Sequence, residues 1–137
     1  MGVFPGESNA QARAALEAAV HAAAHTDPWL SQHLPQLEWF EGQFESGETP
    51  ADHPLIQTLA EAHRQVVGAA PALKGVPYGS DMRFFTNHAR IPATHYGPGD
   101  VSHAHAANEF VDLSEVVTAV KVIALMIVDW VSGSLGD

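Results

Sequence analysis

Imidazole and carboxylate side chains cluster in one stretch of the sequence, residues 91–109. A short apolar run is followed by a break at Gly97-Pro98-Gly99, after which the chain offers His103, His105 and Glu109. A strand that ends in a glycine-bounded loop with such side chains commonly holds a metal ion or a catalytic base at the rim of a sheet. The stretch is therefore predicted to carry the chemistry of the protein.

The composition limits the classes of function. The 137 residues suffice for one domain or two small pieces, and 46% of them are hydrophobic, which supports a folded core. The formal charge is -10, with 16 acidic residues against 6 basic ones, so no basic stripe exists to follow a phosphate backbone and nucleic acid is not an expected partner. The sequence has no cysteine, which excludes disulfides and thiolate metal sites and favours a cytoplasmic protein.

Local signals predict two helices before the site. Ser8 followed by Gln11 is a capping-box pattern, and apolar residues then recur at helical spacing, which indicates a helix over about residues 9–25. Pro54 fits the first position of a second helix, and Gly68 is predicted to end it.

A third helix is predicted after the site, with Ser114 as its cap. Its apolar residues cover so much of the circumference that it should pack on two sides. The run Val116–Val131 is shorter than a usual membrane span and contains Lys121 and Asp129, so it is interpreted as a buried helix, and no membrane partner is expected.

Two strands are predicted, over residues 37–44 and over residues 91–96. Ser80 is expected to cap a short helix that holds Asp81 near its positive end. Helix, strand and helix in this order indicate an α/β layer.

The site loop resembles the last metal-ligand segment of the di-zinc amidohydrolases that include acetylornithine deacetylase, succinyl-diaminopimelate desuccinylase, aminoacylase and glutamate carboxypeptidases. In that family a Gly-Pro-Gly-Asp turn precedes Ala-His, two variable residues, Asn or Asp, Glu, and an aromatic-Val pair. Residues 97–100 and 104–111 match this pattern. Residues 78–84 resemble the family's Gly-Thr/Ser-Asp-x-Arg segment, and residues 4–7 resemble the Leu-Pro-Gly-Glu of its lid, or dimerisation, domain.

The resemblance implies a fold and a domain organisation. Residues 1–50 would be a remnant of the α+β lid (dimerisation) domain, and residues 51–137 the C-terminal part of the catalytic zinc-peptidase-like α/β domain. The family's active site holds two zinc ions, for which cobalt or manganese are alternatives.

The resemblance also implies roles for individual residues. His105 would supply one ligand to one zinc of the pair, while Asn108 and Glu109 would fix the loop by hydrogen bonds. Five residues would line or brace the substrate pocket: Ser80, Asp81, Arg83, Gly97 and Gly99.

The sequence departs from the family in its other metal ligands and its general base. The family places a His-x-Asp and a Glu-Glu pair in an N-terminal half, but this chain has no adjacent Glu-Glu. Its only His-x-Asp, residues 25–27, precedes Pro28 at a predicted helix end and is not expected to bind metal. No catalytic residue is therefore assigned in this chain.

Three hypotheses about function remain open. In the first, the chain is an inactive C-terminal piece of a zinc hydrolase that cleaves N-acyl amino acids or small dipeptides. In the second, the chain becomes active when it assembles with a separate N-terminal polypeptide. In the third, the chain is a non-catalytic metal-binding or dimerisation module. The acetylornithine deacetylase and desuccinylase branch is favoured, with a homo-oligomer or a missing N-terminal half as partner. One outlying alternative is a self-contained metal site built from His95, His103, His105 and Glu109.

Overall fold

The structure, a computed structural model, describes residues 3–40 and 44–134 and divides into two compact units. The first unit contains the described residues of Met1–Glu48 and Val76–Ala89, and the second those of Thr49–Gly75 and Arg90–Asp137. The domain boundary predicted at residue 50 stays a prediction, because a compact unit is not the same thing as a domain of a family fold.

The first unit is built on helix α1, Asn9–Ala24. The predicted capping box is confirmed: the Gln11 N–H donates to Ser8 Oγ at 3.2 Å, and the Ser8 N–H donates to Gln11 Oε1 at 2.9 Å. Ala12 and Ala24 are the buried residues of this helix, so its packing surface is made of small side chains.

The strand predicted over residues 37–44 is not formed. Residues 37–40 and 44 have no regular secondary structure, and residues 41–43 lie outside the described part of the chain. A strand exists only when its N–H and C=O groups pair with a second strand. This segment is instead held to α1 by side chains, since Trp39 Nε1 donates to Glu17 Oε1 at 3.0 Å.

Helix α2, Pro54–Val67, begins and ends as the sequence predicts. Pro54 lies in the first turn, and Gly68 caps the C-terminus in the left-handed region with a φ of 83°. The N-cap was not predicted: His53 Nδ1 accepts the Leu55 N–H at 3.1 Å.

Helix α3, Leu113–Ser134, begins before the predicted cap, so the prediction of Ser114 as its cap is wrong. Asp112 Oδ1 accepts the Ser114 N–H at 2.7 Å, so the carboxylate caps the helix. Hydrogen bonds from Ser114 lower the pKa of Asp112 below its ordinary range.

The core of the second unit lies where α2 and α3 pack against each other. Its buried apolar residues are few: Ile56, Ala62, Ala119 and Val122. Only this side of α3 is covered within the described residues of the second unit, whereas two-sided packing and a buried helix were predicted. The other sides are exposed because no other described helix of this unit packs against them.

This exposure bears on the membrane question. Leu113–Gly133 has a mean hydropathy of 1.9 with 11% of the segment buried, and it is long and apolar enough to cross a membrane by length and composition alone. Core helices of soluble proteins can have the same length and composition. These two properties therefore do not distinguish a membrane-spanning helix from the core helix of a soluble protein.

The strand predicted over residues 91–96 is also absent, and the described residues as a whole contain no strand. A side chain takes the place of the missing strand partner. Thr49 Oγ1 donates to the Ala93 C=O at 2.7 Å and accepts the Ala93 N–H at 3.0 Å. The segment is thus fixed at its centre without a β-ladder.

Candidate functional site

Tyr96, the residue just before the candidate metal-ligand loop, contacts α2. His63 Nδ1 lies 2.8 Å from the Tyr96 hydroxyl, and the two rings meet edge to face at 5.8 Å. Partial burial raises the pKa of the Tyr96 hydroxyl further above its ordinary range. The contact fixes the backbone just before Gly97.

The turn that follows is fastened to α3. Gly99 has a φ of 91°, a backbone conformation that favours glycine, and its N–H donates to Glu115 Oε2 at 2.8 Å. Asp100 Oδ1 accepts the Ser102 N–H at 2.8 Å and caps the 3₁₀ helix Val101–His103. That backbone hydrogen bond is the main reason that the pKa of Asp100 is lowered.

The two loop histidines have different surroundings. His103 is half-buried, and its ring lies 4.5 Å from the Phe110 ring at an angle of 31°. The ring of His103 thus has a local packing role in the loop. His105 is exposed to solvent, with its imidazole on the surface of the loop.

The backbone of His105 is in the left-handed region, with a φ of 61°. Such a conformation is uncommon outside glycine and needs local support. Glu109 provides it, because its Oε2 accepts the His105 N–H at 3.1 Å. The structure thus places Glu109 where it braces the loop, while Asn108 lies exposed beside it.

The strained backbone predicts an order of stability among variants of His105. We expect His105→Gly to be more stable than His105→Ala by about 1 kcal/mol, because an L-residue in this region is disfavoured by roughly that amount and glycine is not. Urea unfolding of the two variants measures the difference. Equal stability would show that the left-handed conformation is not maintained in solution.

The donor set of a metal site is incomplete in this chain. The described residues contain no group of three or more His, Cys, Asp or Glu side chains that could hold a metal ion. His95, His103, His105 and Glu109 are thus not brought together, and the self-contained site is not formed. His105 alone does not satisfy zinc, which takes about three protein ligands at a catalytic site.

The His-x-Asp motif of residues 25–27 also has a local structural role. His25 is the C-cap of α1, and Asp27 Oδ1 accepts the N–H groups of Trp29 and Leu30 at 2.8 and 2.9 Å. The carboxylate thus forms the turn that follows the helix, as its position at a helix end predicts.

The other predicted site residues, Ser80, Asp81 and Arg83, lie in the first unit. Ser80 Oγ accepts the Met82 N–H at 3.2 Å, as predicted for a cap, although the chain then continues as a π-helix, Phe84–Ala89. Asp81 is exposed, and its carboxylate lies 3.8 Å from the Arg83 guanidinium.

Arg83 is the most enclosed charged group of this segment, with a side chain 14% exposed. Its guanidinium carbon lies 4.3 Å from the centre of the Phe44 ring and 4.2 Å from that of Phe84. Nη1 also donates to the Ser80 carbonyl. The aromatic faces and this hydrogen bond hold a cation in one orientation, an arrangement suited to binding an anionic or carbonyl oxygen.

Close packing explains the glycine at position 79. A Cβ atom there would lie 2.9 to 3.1 Å from atoms of the Phe44 ring. A larger residue at this position would therefore displace Phe44 from its place beside Arg83.

We expect Gly79→Ala to destabilise the first unit by about 1–3 kcal/mol, the usual effect of forcing an extra methyl group into a packed contact. Gly75→Ala, in the second unit, is the control for adding a methyl group where there is space, because a Cβ at Gly75 meets nothing within 4 Å. Urea denaturation followed by circular dichroism compares them. Equal effects would mean that the Phe44 contact is not maintained.

Several residues that shape the two segments were not identified from the sequence: Thr49, His63, Phe44 and Glu115. Each acts through a contact with a residue at least 16 positions away in the chain. No local motif marks such contacts. The residues that these contacts hold in place were identified from the sequence only through their resemblance to the family motifs.

Comparison with known proteins decides the family. The profile of Peptidase family M20/M25/M40 matches residues 7–129, which include both segments described above. The chain belongs to this peptidase family. The resemblance inferred from the loop is thereby confirmed.

Relatives in the M20 family agree with this assignment. The chain is 28% identical over 137 residues to the N-formyl-4-amino-5-aminomethyl-2-methylpyrimidine deformylase of Bacillus subtilis, covering 94% of this chain and 32% of that protein. It is 32% identical over 94 residues to the [LysW]-lysine hydrolase of Deinococcus radiodurans, covering 69% of this chain and 26% of that protein. No solved structure gives a significant match.

The chain spans about a third of the length of the curated relatives it matches. Members of the M20 family generally bind divalent metals such as zinc. The relatives named here are a deformylase and a hydrolase, and neither is an acetylornithine deacetylase, so the comparisons support the family and not that branch.

Proposed function

We propose that this chain is the C-terminal part of a metal-dependent M20 hydrolase that cleaves the amide bond of a small N-acyl compound. The observation that carries the proposal is the family match over residues 7–129, which includes the whole His105 loop. On this proposal the chain is inactive alone. It becomes active when the remaining part of the family fold supplies the other metal ligands and the general base.

The proposal includes a fold that needs that remaining part. Residues 91–96 would become a strand of an α/β catalytic domain once a neighbouring strand pairs with them, and residues 1–50 would belong to a lid. The exposed sides of α3 support the need for a further part of the fold.

The residues of this chain would position the site and bind substrate. His105 offers one nitrogen donor, which Glu109 presents by holding the backbone of the loop. The enclosed Arg83 offers N–H donors to a polar group of the substrate, and the turn at Gly97 and Gly99 lets substrate approach the backbone. A zinc ion bound in the complete site would polarise the amide carbonyl and lower the pKa of water.

The proposed substrate class is an N-formyl or other N-acyl derivative of a small amine or amino acid. The names of the two relatives support it, one as a deformylase and the other as a hydrolase of [LysW]-lysine. Zinc is the proposed metal, with cobalt or manganese as substitutes, and the proposed partner is the family's remaining N-terminal portion.

The test is a joined protein, in which this chain replaces the matched segment of the B. subtilis relative. We expect it to release amine from N-formyl or N-acetyl amino acids in the presence of zinc, whereas the isolated 137-residue chain releases none. A well-folded, zinc-loaded joined protein that hydrolyses none of these compounds would contradict the proposal. It would favour the non-catalytic metal-binding or dimerisation module.

A further inference from the structure

Helix α3 exposes a stripe of apolar side chains along its whole length. The stripe consists of Leu113, Val117, Val120, Ala124, Ile127 and Val131. Its members follow one another at spacings of four and three residues, which places them on one line along an α-helix. The five large side chains among them are between 51% and 76% exposed.

No charged side chain interrupts the α3 stripe. At about 100° of rotation per residue, Lys121 lies about 80° from the centre of the stripe, and Glu115 and Asp129 lie still further round. Ala119 and Val122 lie on the opposite side, where they are buried against α2. The stripe thus faces away from α2, the only helix that covers α3 within the described residues of the second unit.

Neighbouring apolar side chains widen the stripe into a broad face. Ile123, Val128 and Trp130 flank it and are also exposed. Together these residues cover well over about 100° of the helix circumference, which is the width of a face that packs on a domain core. A coiled-coil seam between two copies is narrower, because it uses only two positions in seven and has charged residues beside them.

The charge of the chain argues against a membrane surface as the occupant. Helices that lie on membranes combine an apolar face with a polar face rich in Lys and Arg. α3 carries Lys121 as its only basic residue in the described range, its far side is covered by α2, and the whole chain has a formal charge of -10.

We propose that the broad face of α3 is the docking surface for the part of the M20 fold that this chain does not span. The inference rests on the proposed function, in that both require this second part. The chain covers 32% of the B. subtilis relative, so about two thirds of such a protein remains to cover the face. When a hydrophobic core is divided between two pieces, each piece exposes Val and Ile side chains at the spacing of a buried helix face, as α3 does.

The test uses the joined protein with a protease site in its linker, cleaved after purification in the absence of metal. Binding between the two pieces is then measured by surface plasmon resonance for the wild-type chain, Val120→Asp and Lys121→Asp. We expect Val120→Asp to weaken binding by at least about 30-fold, as at an interface hot spot, and Lys121→Asp by less than about 3-fold. The two variants introduce the same residue at adjacent exposed positions, one on the stripe and one off it.

Three results would overturn the inference. The first is separation of the wild-type pieces upon cleavage, and the second is equal binding by Val120→Asp and Lys121→Asp. The third is binding of the isolated chain to a second copy or to phosphatidylcholine vesicles in preference to the other piece, if the Val120→Asp substitution abolishes that binding. Because binding is measured without metal or substrate, a joined protein that docks normally but hydrolyses nothing would contradict the proposed function alone.

Discussion

Val122→Asp is expected to unfold the second unit. Val122 lies on the side of α3 that packs on α2, and 0% of its surface is exposed. Burying a carboxylate with no partner costs several kcal/mol, and about 4 kcal/mol or more is a large fraction of the stability of a small domain. Urea unfolding, followed by the loss of helical circular dichroism, measures the change.

The control for this prediction is Val120→Asp, two residues away on the same helix. Val120 is 61% exposed, so the new carboxylate remains in water. We expect its effect on the unfolding free energy of the isolated chain to stay within about 0.5 kcal/mol. Equal destabilisation by the two substitutions would show that α3 does not pack on α2 through Val122.

His105→Gly is expected to cause the second large effect, on the activity of the joined protein. Glycine keeps the left-handed backbone that His105 adopts and removes only the imidazole. Changing a group that merely orients a metal ligand reduces metal affinity or activity 10- to 100-fold, so losing the ligand itself should lower kcat/KM by more than about 100-fold. Steady-state kinetics with an N-formyl amino acid measures it.

His103→Ala is the matched control, because it removes an imidazole two residues away that stacks on Phe110. We expect it to change kcat/KM by less than about 3-fold, as a residue that contacts neither metal nor substrate should. A loss of the same size in both variants would mean that the loop needs both rings for its shape. His105 would then have no special role as a ligand.

Local signals in the sequence predicted the start of α1 and the bounds of α2. Ser8 with Gln11 and Pro54 with Gly68 each act within a few residues, and all four are found in the predicted roles. The strands were predicted wrongly for the isolated chain, because alternation shows that a segment suits a sheet but does not supply the partner strand. The cap of α3 was assigned to Ser114 although Asp112 lies two residues before it.

The candidate site shows the same division between local and distant information. The loop motif marked His105 and Glu109, which lie four residues apart and are joined by a hydrogen bond. The anchors His63 and Glu115 come from other helices, so only the structure reveals them. The left-handed backbone of His105 could not be predicted from the residue type alone, because histidine adopts this conformation more often than most residues but still only in a small fraction of cases.

Zinc titration by calorimetry tests most directly the claim that His105 is one donor of a site completed by another part of the fold. The joined protein should bind zinc tightly and lose at least part of that binding in His105→Gly, while the isolated chain and its His105→Gly variant should show the same weak binding or none. Micromolar or tighter binding by the isolated chain at near-unit stoichiometry, lost in His105→Gly, would contradict the account. It would show that the 137 residues hold a metal site of their own.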